Sequence, residues 1–237
     1  MSVKMLEVQH ISFAWGATPL LNDVSFSVAP GETAVLAGAN GAGKTTLLRI
    51  LAGLYVPSSG GVYADDVDVL LHPLRFRRML GYLPESAAAD PGMTVKEYLG
   101  YRARLRGEMS RKIRHRVEEA MGLCGLDAHA NARIGLLSQG LRKRVALADA
   151  VLLRPRFLIL DDLLAGLDAE TRESVGRILS AVSSFAAVIV SGHELDELQR
   201  WATKFLVLKD GRIQEAKTAA GVRTVLTRVP SAGGEKA

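Results

Sequence analysis

The 237-residue sequence is short of cysteine, of aromatic residues and of long apolar runs, and each shortage excludes something. Cys124 stands alone, so no disulfide can close within the chain, which fits a reducing compartment. Its expected role is that of a small buried apolar residue near the end of a helix. No apolar run approaches the roughly 18 residues needed to cross a bilayer. The longest, around Phe157–Leu160 and Phe185–Val190, read as buried strands. Glu7 and His10 interrupt any apolar core that a signal peptide would need. The expectation is a chain that neither spans a membrane nor is exported by the usual route, so any membrane process it serves needs a separate spanning polypeptide.

What is present is ordinary for a globular protein: 48% apolar and 23% charged residues, in a length suited to one large domain or two small ones. The net charge of +5 draws on Arg102, Arg104, Arg106, Arg111, Lys112, Arg114 and Arg116, followed by Glu118 and Glu119. Aromatics make up 5% of the chain and none interleaves here as a stacking platform. A solvated helical face is therefore the expectation, ahead of a nucleic-acid patch.

Strand patterns fill the N-terminal third. Leu6–Phe13 and Val24–Val28 alternate, and the turn Pro30-Gly31 leads to the apolar run Thr33–Ala37, the pattern of a strand buried on both faces. A helix is expected over Leu47–Leu54. From about Ser86 to Leu137 strand signals vanish. Thr94 and Glu97 have capping-box spacing, with a helix continuing through Arg106, and Ser110 is placed to cap a second helix to about Met121. Strands return at Phe157–Leu160, Ala187–Val190 and Phe205–Leu208, with a helix at Ala169–Val182. Strands alternating with helices imply a parallel sheet covered on both faces.

Two segments carry phosphate chemistry. Gly38 to Thr45 fits G-x-x-x-x-G-K-[ST] between a strand and a helix. Gly41 and Gly43 let the backbone curl around a phosphate chain, and exposed amides at the helix start attract its oxygens. Lys44 would neutralise the β- and γ-phosphates, and Thr45 would hold Mg²⁺. Phe157-Leu158-Ile159-Leu160 then presents Asp161 and Asp162 at the carboxyl end of a buried strand. Asp161 can bind Mg²⁺, and Asp162 can orient or deprotonate a water.

With these elements in order, the chain resembles the ABC-transporter ATPase family from about Leu6 to Glu215. Leu137-Ser138-Gln139-Gly140-Leu141 stands where that family has LSGGQ; Ser138 and Gly140 agree, Gln139 and Leu141 depart. The resemblance implies an α/β fold, a P-loop NTPase (RecA-like) parallel-sheet core with a small N-terminal antiparallel β subdomain and an inserted helical subdomain. It further implies one ATP-binding domain over 1–237: core at 1–85 and 139–216, helical subdomain at 86–138. Residues 217–237 are small, Gly-containing and weakly patterned, so a mobile tail is expected there.

The implied site follows residue by residue. Trp15 takes the place of the aromatic that stacks on adenine, and Gly38, Asn40, Gly41, Gly43, Lys44, Thr45 and Thr46 form the phosphate loop. Leu137, Ser138, Gln139, Gly140 and Asp168 serve a second ATPase subunit across a dimer, homomeric or heteromeric, with Asp168 in the Ala165–Asp168 D-loop. His193 matches the switch histidine, and Glu85 stands where many relatives carry glutamine. Thr45, Glu85 and Asp161 are the implied Mg²⁺ ligands, and ATP the implied nucleotide. Asp162 replaces the usual glutamate, which implies slow hydrolysis at this chain's own site. The implied partners are membrane-spanning permease subunits, with no nucleic acid, at the cytoplasmic face of the cell membrane. Tyr82-Leu83-Pro84-Glu85 resembles export-type systems. The alternatives left open are an ATP-gated clamp with little hydrolysis and a soluble ATPase acting on nucleic acid.

Overall fold

The computed structural model describes residues 5–86 and 89–227. Two sheets organise it. The first is antiparallel: β1 (Leu6–Trp15), β2 (Thr18–Val28), β4 (Ser59–Ala64) and β5 (Val67–Asp68), in the order β2-β1-β4-β5. The second has six strands in the order β10-β9-β3-β8-β7-β6: β3 (Thr33–Gly38), β6 (Leu80–Leu83), β7 (Phe157–Leu160), β8 (Ala187–Ser191), β9 (Lys204–Lys209) and β10 (Arg212–Ala216). All its pairings are parallel except β10 with β9.

The apolar runs predicted as two-sided strands are just that. Alternate residues of the large sheet serve opposite cores, as a period of two requires. Val35, Ala37, Leu158, Leu160, Val188 and Val190 enter one cluster; Ala34, Leu36, Phe157, Ile159, Ala187 and Ile189 enter the other. The first core is roofed by α3 (Val95–Leu105), α4 (Ser110–Leu123), α5 (Gln139–Val151) and α6 (Ala169–Ser183). The second is closed by α1 (Lys44–Leu51), α2 (Pro73–Arg77) and the antiparallel sheet.

The helical stretch is well marked. Thr94 and Glu97 form a complete capping box: Thr94 Oγ1 accepts from Glu97 N–H at 3.2 Å and Glu97 Oε2 accepts from Thr94 N–H at 2.9 Å. Met109, not Ser110, occupies the cap position of α4, and Ser110 is its first helical residue. The basic run is less solvated than its composition implies. Asp149 on α5, 7% exposed, takes ion pairs from Arg102 (3.0 Å) and Arg106 (3.1 Å), while Arg116 pairs with Glu108 and Glu119.

Strands β4, β5, β6 and β10 carry little sequence signal. Ser59-Gly60-Gly61 reads as a turn, and β10 is a polar edge strand. Beyond α7 (Leu195–Leu198), the expected mobile tail is corrected over its first part. Ala219–Thr227 form α8, with Ala219 and Val222 buried and Lys209 Nζ donating to the Val225 and Leu226 carbonyls. Residues 228–237 lie outside the described residues.

Candidate functional site

Parallel strands bring their carboxyl ends to one edge, and four neighbours do so here. β3 ends in the loop 39–43, β8 in Ser191, β7 in Asp161 and Asp162, and β6 leads to Glu85. The cleft at this edge has a volume of about 410 Å³. Its walls include Asn40, Gly41, Gly43, Lys44, Thr45, Thr46, Glu85, Asp161, Asp162 and His193 from the sequence reading. Trp15 closes one side. It sits at the tip of the β1–β2 hairpin, paired with Thr18, and is 55% exposed. Phe13 and Tyr55 hold its ring edge-on, at centroid distances of 5.1 and 5.7 Å.

The loop is shaped by its glycines. Gly41 and Gly43 have φ of 77° and 102°, a region open to glycine at no steric cost, and Gly43 is the cap of α1. Lys44 Nζ lies across the loop and donates to the carbonyls of Gly38 (2.8 Å) and Ala39 (3.1 Å). Gly38 thus contributes its carbonyl rather than a cleft wall. Burial pulls the Lys44 ammonium below its ordinary pKa, against the opposing pull of Asp162 and Asp161.

Opposite the loop, Asp161 is 2% exposed. Its Oδ1 accepts from Ser191 Oγ at 2.6 Å, and the same hydroxyl accepts from Asp162 N–H at 2.9 Å. Asp162 is left-handed, with φ of 49°. Asp161 Oδ2 and Asp162 Oδ1 are buried with no hydrogen-bond partner. A buried carboxylate oxygen without a partner is costly, and it fits a hard cation that takes oxygen ligands. Among the described residues no group of three or more His, Cys, Asp or Glu could hold a metal alone. That suits Mg²⁺, which is bound by one or two carboxylates together with substrate phosphates.

The segment Leu137–Gly140 and Asp168 are not part of this cleft's lining. Ser138 caps α5, its hydroxyl accepting from Leu141 N–H at 3.3 Å, and Asp168 caps α6, accepting from Thr171 N–H at 2.8 Å. That bond holds the Asp168 carboxyl below its usual range. The two helix starts touch: a Cβ at Gly140 would lie 2.8 Å from Thr171 Oγ1, so no larger residue fits without displacement. Ser138, Gln139 and Asp168 are exposed there, while Leu137 is buried.

Sequence reasoning missed Leu20, Ser191, Gly192 and Lys143. Ser191 had a signal, a polar residue closing the apolar run Ala187–Val190 at the strand end where ligands gather. Lys143 had none that spacing could supply; it reaches the site from α5, donating to the Asp162 carbonyl at 3.0 Å.

Comparisons with known proteins agree with this geometry. The sequence pattern of the ABC transporter family matches residues 21–165. The uncharacterized ABC transporter ATP-binding protein YxlF of Bacillus subtilis (strain 168) is 35% identical over 209 residues, 88% of this chain and 69% of that protein. The Fe(3+) ions import ATP-binding protein FbpC of Rhizobium etli (strain ATCC 51251 / DSM 11541 / JCM 21823 / NBRC 15573 / CFN 42) is 35% identical over 213 residues, 89% of this chain and 60% of that protein. Other relatives are named for export. A solved ATP-binding subunit of an ABC transporter superposes with a TM-score of 0.85 at 25% identity, covering 94% of this chain and 100% of that one. The matched segment spans more than half of the sequence and contains the phosphate loop and both strand-end aspartates; the chain belongs to the ABC transporter ATP-binding family, whose cassettes are ATPases.

Proposed function

We propose that this chain is the nucleotide-driven subunit of a transporter whose membrane-spanning permease is a separate polypeptide, and that it works as a dimer at the cytoplasmic face of the membrane. One observation carries the reading: Lys44, Thr45, Asp161, Asp162, Glu85 and His193 converge on a single cleft at the carboxyl edge of the parallel sheet. ATP enters with its adenine against Trp15 and its phosphates along loop 38–46. Thr45, Asp161 and Glu85 would hold Mg²⁺, which supplies charge neutralisation for the phosphates when bound. Asp162 orients the attacking water, and His193 contacts the terminal phosphate. The exposed Ser138 and Gln139 and the half-buried Gly140, with Asp168, face the nucleotide of a second subunit. Residues 86–138 form the arm that meets the permease, and 1–85 with 139–216 form the core. Among the described residues no helix is long and apolar enough to cross a membrane.

Export is the favoured direction on the Tyr82–Glu85 segment, although relatives named for import and for export both occur. Hydrolysis at this chain's own site is slow, because Asp162 is shorter than glutamate. The same residue favours a second reading, an ATP-gated clamp, and permease-stimulated turnover would count against it. Nucleic acid is disfavoured, since Arg102, Arg106 and Arg116 are already paired within the chain.

Calorimetry of Mg-ATP binding to Lys44→Ala tests the reading. Loss of a charge-assisted phosphate contact is expected to weaken affinity ~10–100-fold. Unchanged affinity would remove the basis for placing ATP in this cleft.

A further inference from the structure

The backbone of Asp162 is gripped on both sides, through the peptide before it and the peptide after it. Its N–H donates to Ser191 Oγ at 2.9 Å, and its carbonyl oxygen accepts from Lys143 Nζ at 3.0 Å. Between the two grips the backbone is left-handed, φ 49°, a region that aspartate enters less readily than glycine. Ser191 Oγ in turn donates a hydrogen bond to Asp161 Oδ1 at 2.6 Å, so the ends of β7 and β8 form one tied unit.

Lys143 arrives from a different element. It stands in the second turn of α5, the helix capped by Ser138, and its half-buried side chain has Asp162, Asp161 and Glu85 as its charged neighbours. A long flexible side chain loses rotamer freedom when it is held against one main-chain oxygen. Burial pulls its ammonium below the ordinary pKa, and the charges of Asp162, Asp161 and Glu85 oppose that pull.

We propose that Lys143 is a positioning residue for ATP hydrolysis: together with Ser191 it fixes the Asp162 peptide, so that the carboxylate meets the cleft in one orientation. Because the same helix begins at Ser138, a displacement of α5 reaches Asp162 through this one side chain. The inference rests on the reading of Asp162 as the water-orienting group.

The experiment compares the full-length wild type with Lys143→Met and Lys143→Arg. Methionine keeps most of the volume without donor or charge; arginine keeps both. Lys143→Met is expected to lower kcat ~10–100-fold, the scale of a misplacement near 1 Å. KM, the calorimetric Kd for Mg-ATP and Tm stay at wild-type values, and Lys143→Arg recovers most of the lost turnover. In parallel, hydrogen exchange of the Asp162 amide accelerates in the methionine variant. An unchanged kcat, a collapse of kcat, affinity and Tm together, or an arginine variant as slow as methionine would each overturn the proposal. A wild type that binds Mg-ATP without turning it over would sink the underlying reading instead. Exchange at Asp162 then decides alone, and unchanged protection in Lys143→Met overturns the positioning role.

Discussion

Replacing Asp162 by glutamate is expected to speed this enzyme up. The shorter side chain withdraws the carboxylate by about one bond length, ~1.5 Å. The backbone cannot advance to compensate, because Ser191 and Lys143 hold the peptide on either side. The full methylene therefore appears as displacement at the reacting end. Misplacement on the order of 1 Å costs roughly 10²-fold, which is about 2.7 kcal/mol of barrier. Asp162→Glu is accordingly expected to raise kcat ~10–100-fold in a steady-state phosphate-release assay. Mg-ATP affinity by calorimetry should move less than about twofold, since the phosphate loop, Lys44 and Asp161 are untouched. Stability runs the other way. Aspartate tolerates the left-handed region better than glutamate, so the φ of 49° is expected to lower ΔG of unfolding by up to ~1 kcal/mol. A faster but less stable variant is the signature. A variant with unaltered or lower kcat would refute the proposal that the short Asp162 side chain slows hydrolysis.

Two further perturbations probe the scaffold. Burial raises the Cys124 thiol from an ordinary value of 9.0 to about 12, with Arg144 a minor opposing influence. A raised folded-state value means stability is fully present below pH 9 and lost as pH rises toward 12, because the unfolded thiol gives up its proton first. Cys124→Ala should flatten the alkaline limb of the stability curve, and a thiol reagent at pH 8 should label the wild type only upon unfolding; prompt labelling of the native chain would contradict the burial. Asp149→Ala leaves Arg102 and Arg106 facing each other at the α3–α5 contact. With allowance for solvent screening of the half-exposed Arg102, a loss of about 2 kcal/mol is expected, or ~4–8 °C in Tm; an unmoved Tm would show the cluster to be surface-like.

How much was legible depended on which force shaped each part. Thr33–Ala37, Phe157–Leu160 and Ala187–Val190 were readable because a strand buried on both faces is apolar nearly throughout, and their order around a glycine loop placed the phosphate site. The edge and small-sheet strands were not. β10 exposes Arg212, Gln214 and Glu215, and its strand state comes from pairing with β9, a contact between neighbours that no composition announces. Ala219–Thr227 looked weakly patterned because only Ala219 and Val222 are buried. In the site, the motif residues were legible since each carries its own chemistry. Ser191 and Lys143 act on the peptide of Asp162, and the distances |i−j| of 29 and 19 put such help beyond local spacing. Asp162 itself was legible as a residue, but its left-handed backbone was not.

The same cleft stores unfavourable energy that binding should release, and Asp161 tests this. Its carboxylate is 2% exposed, and Oδ2 has no hydrogen-bond partner. Lys44 feels its charge, but Lys44 also has Asp162 as its stronger charged neighbour. Asp161→Asn keeps the size and an oxygen able to accept from Ser191, while removing a buried charge. Removal of the buried charge, set against the amide nitrogen that then occupies the unpartnered position, is worth about 1 kcal/mol, so Tm without nucleotide or Mg²⁺ should rise by ~2–4 °C. The Mg²⁺ dependence of ATP affinity should weaken in the same variant, since one of the oxygen ligands proposed for the cation has lost its charge while Thr45 and Glu85 remain. Lower Tm would mean that Lys44 and Lys143 already stabilise the carboxylate in full. Asp161 would then belong to a self-sufficient ion network, and the orphaned oxygen would no longer point to a cation.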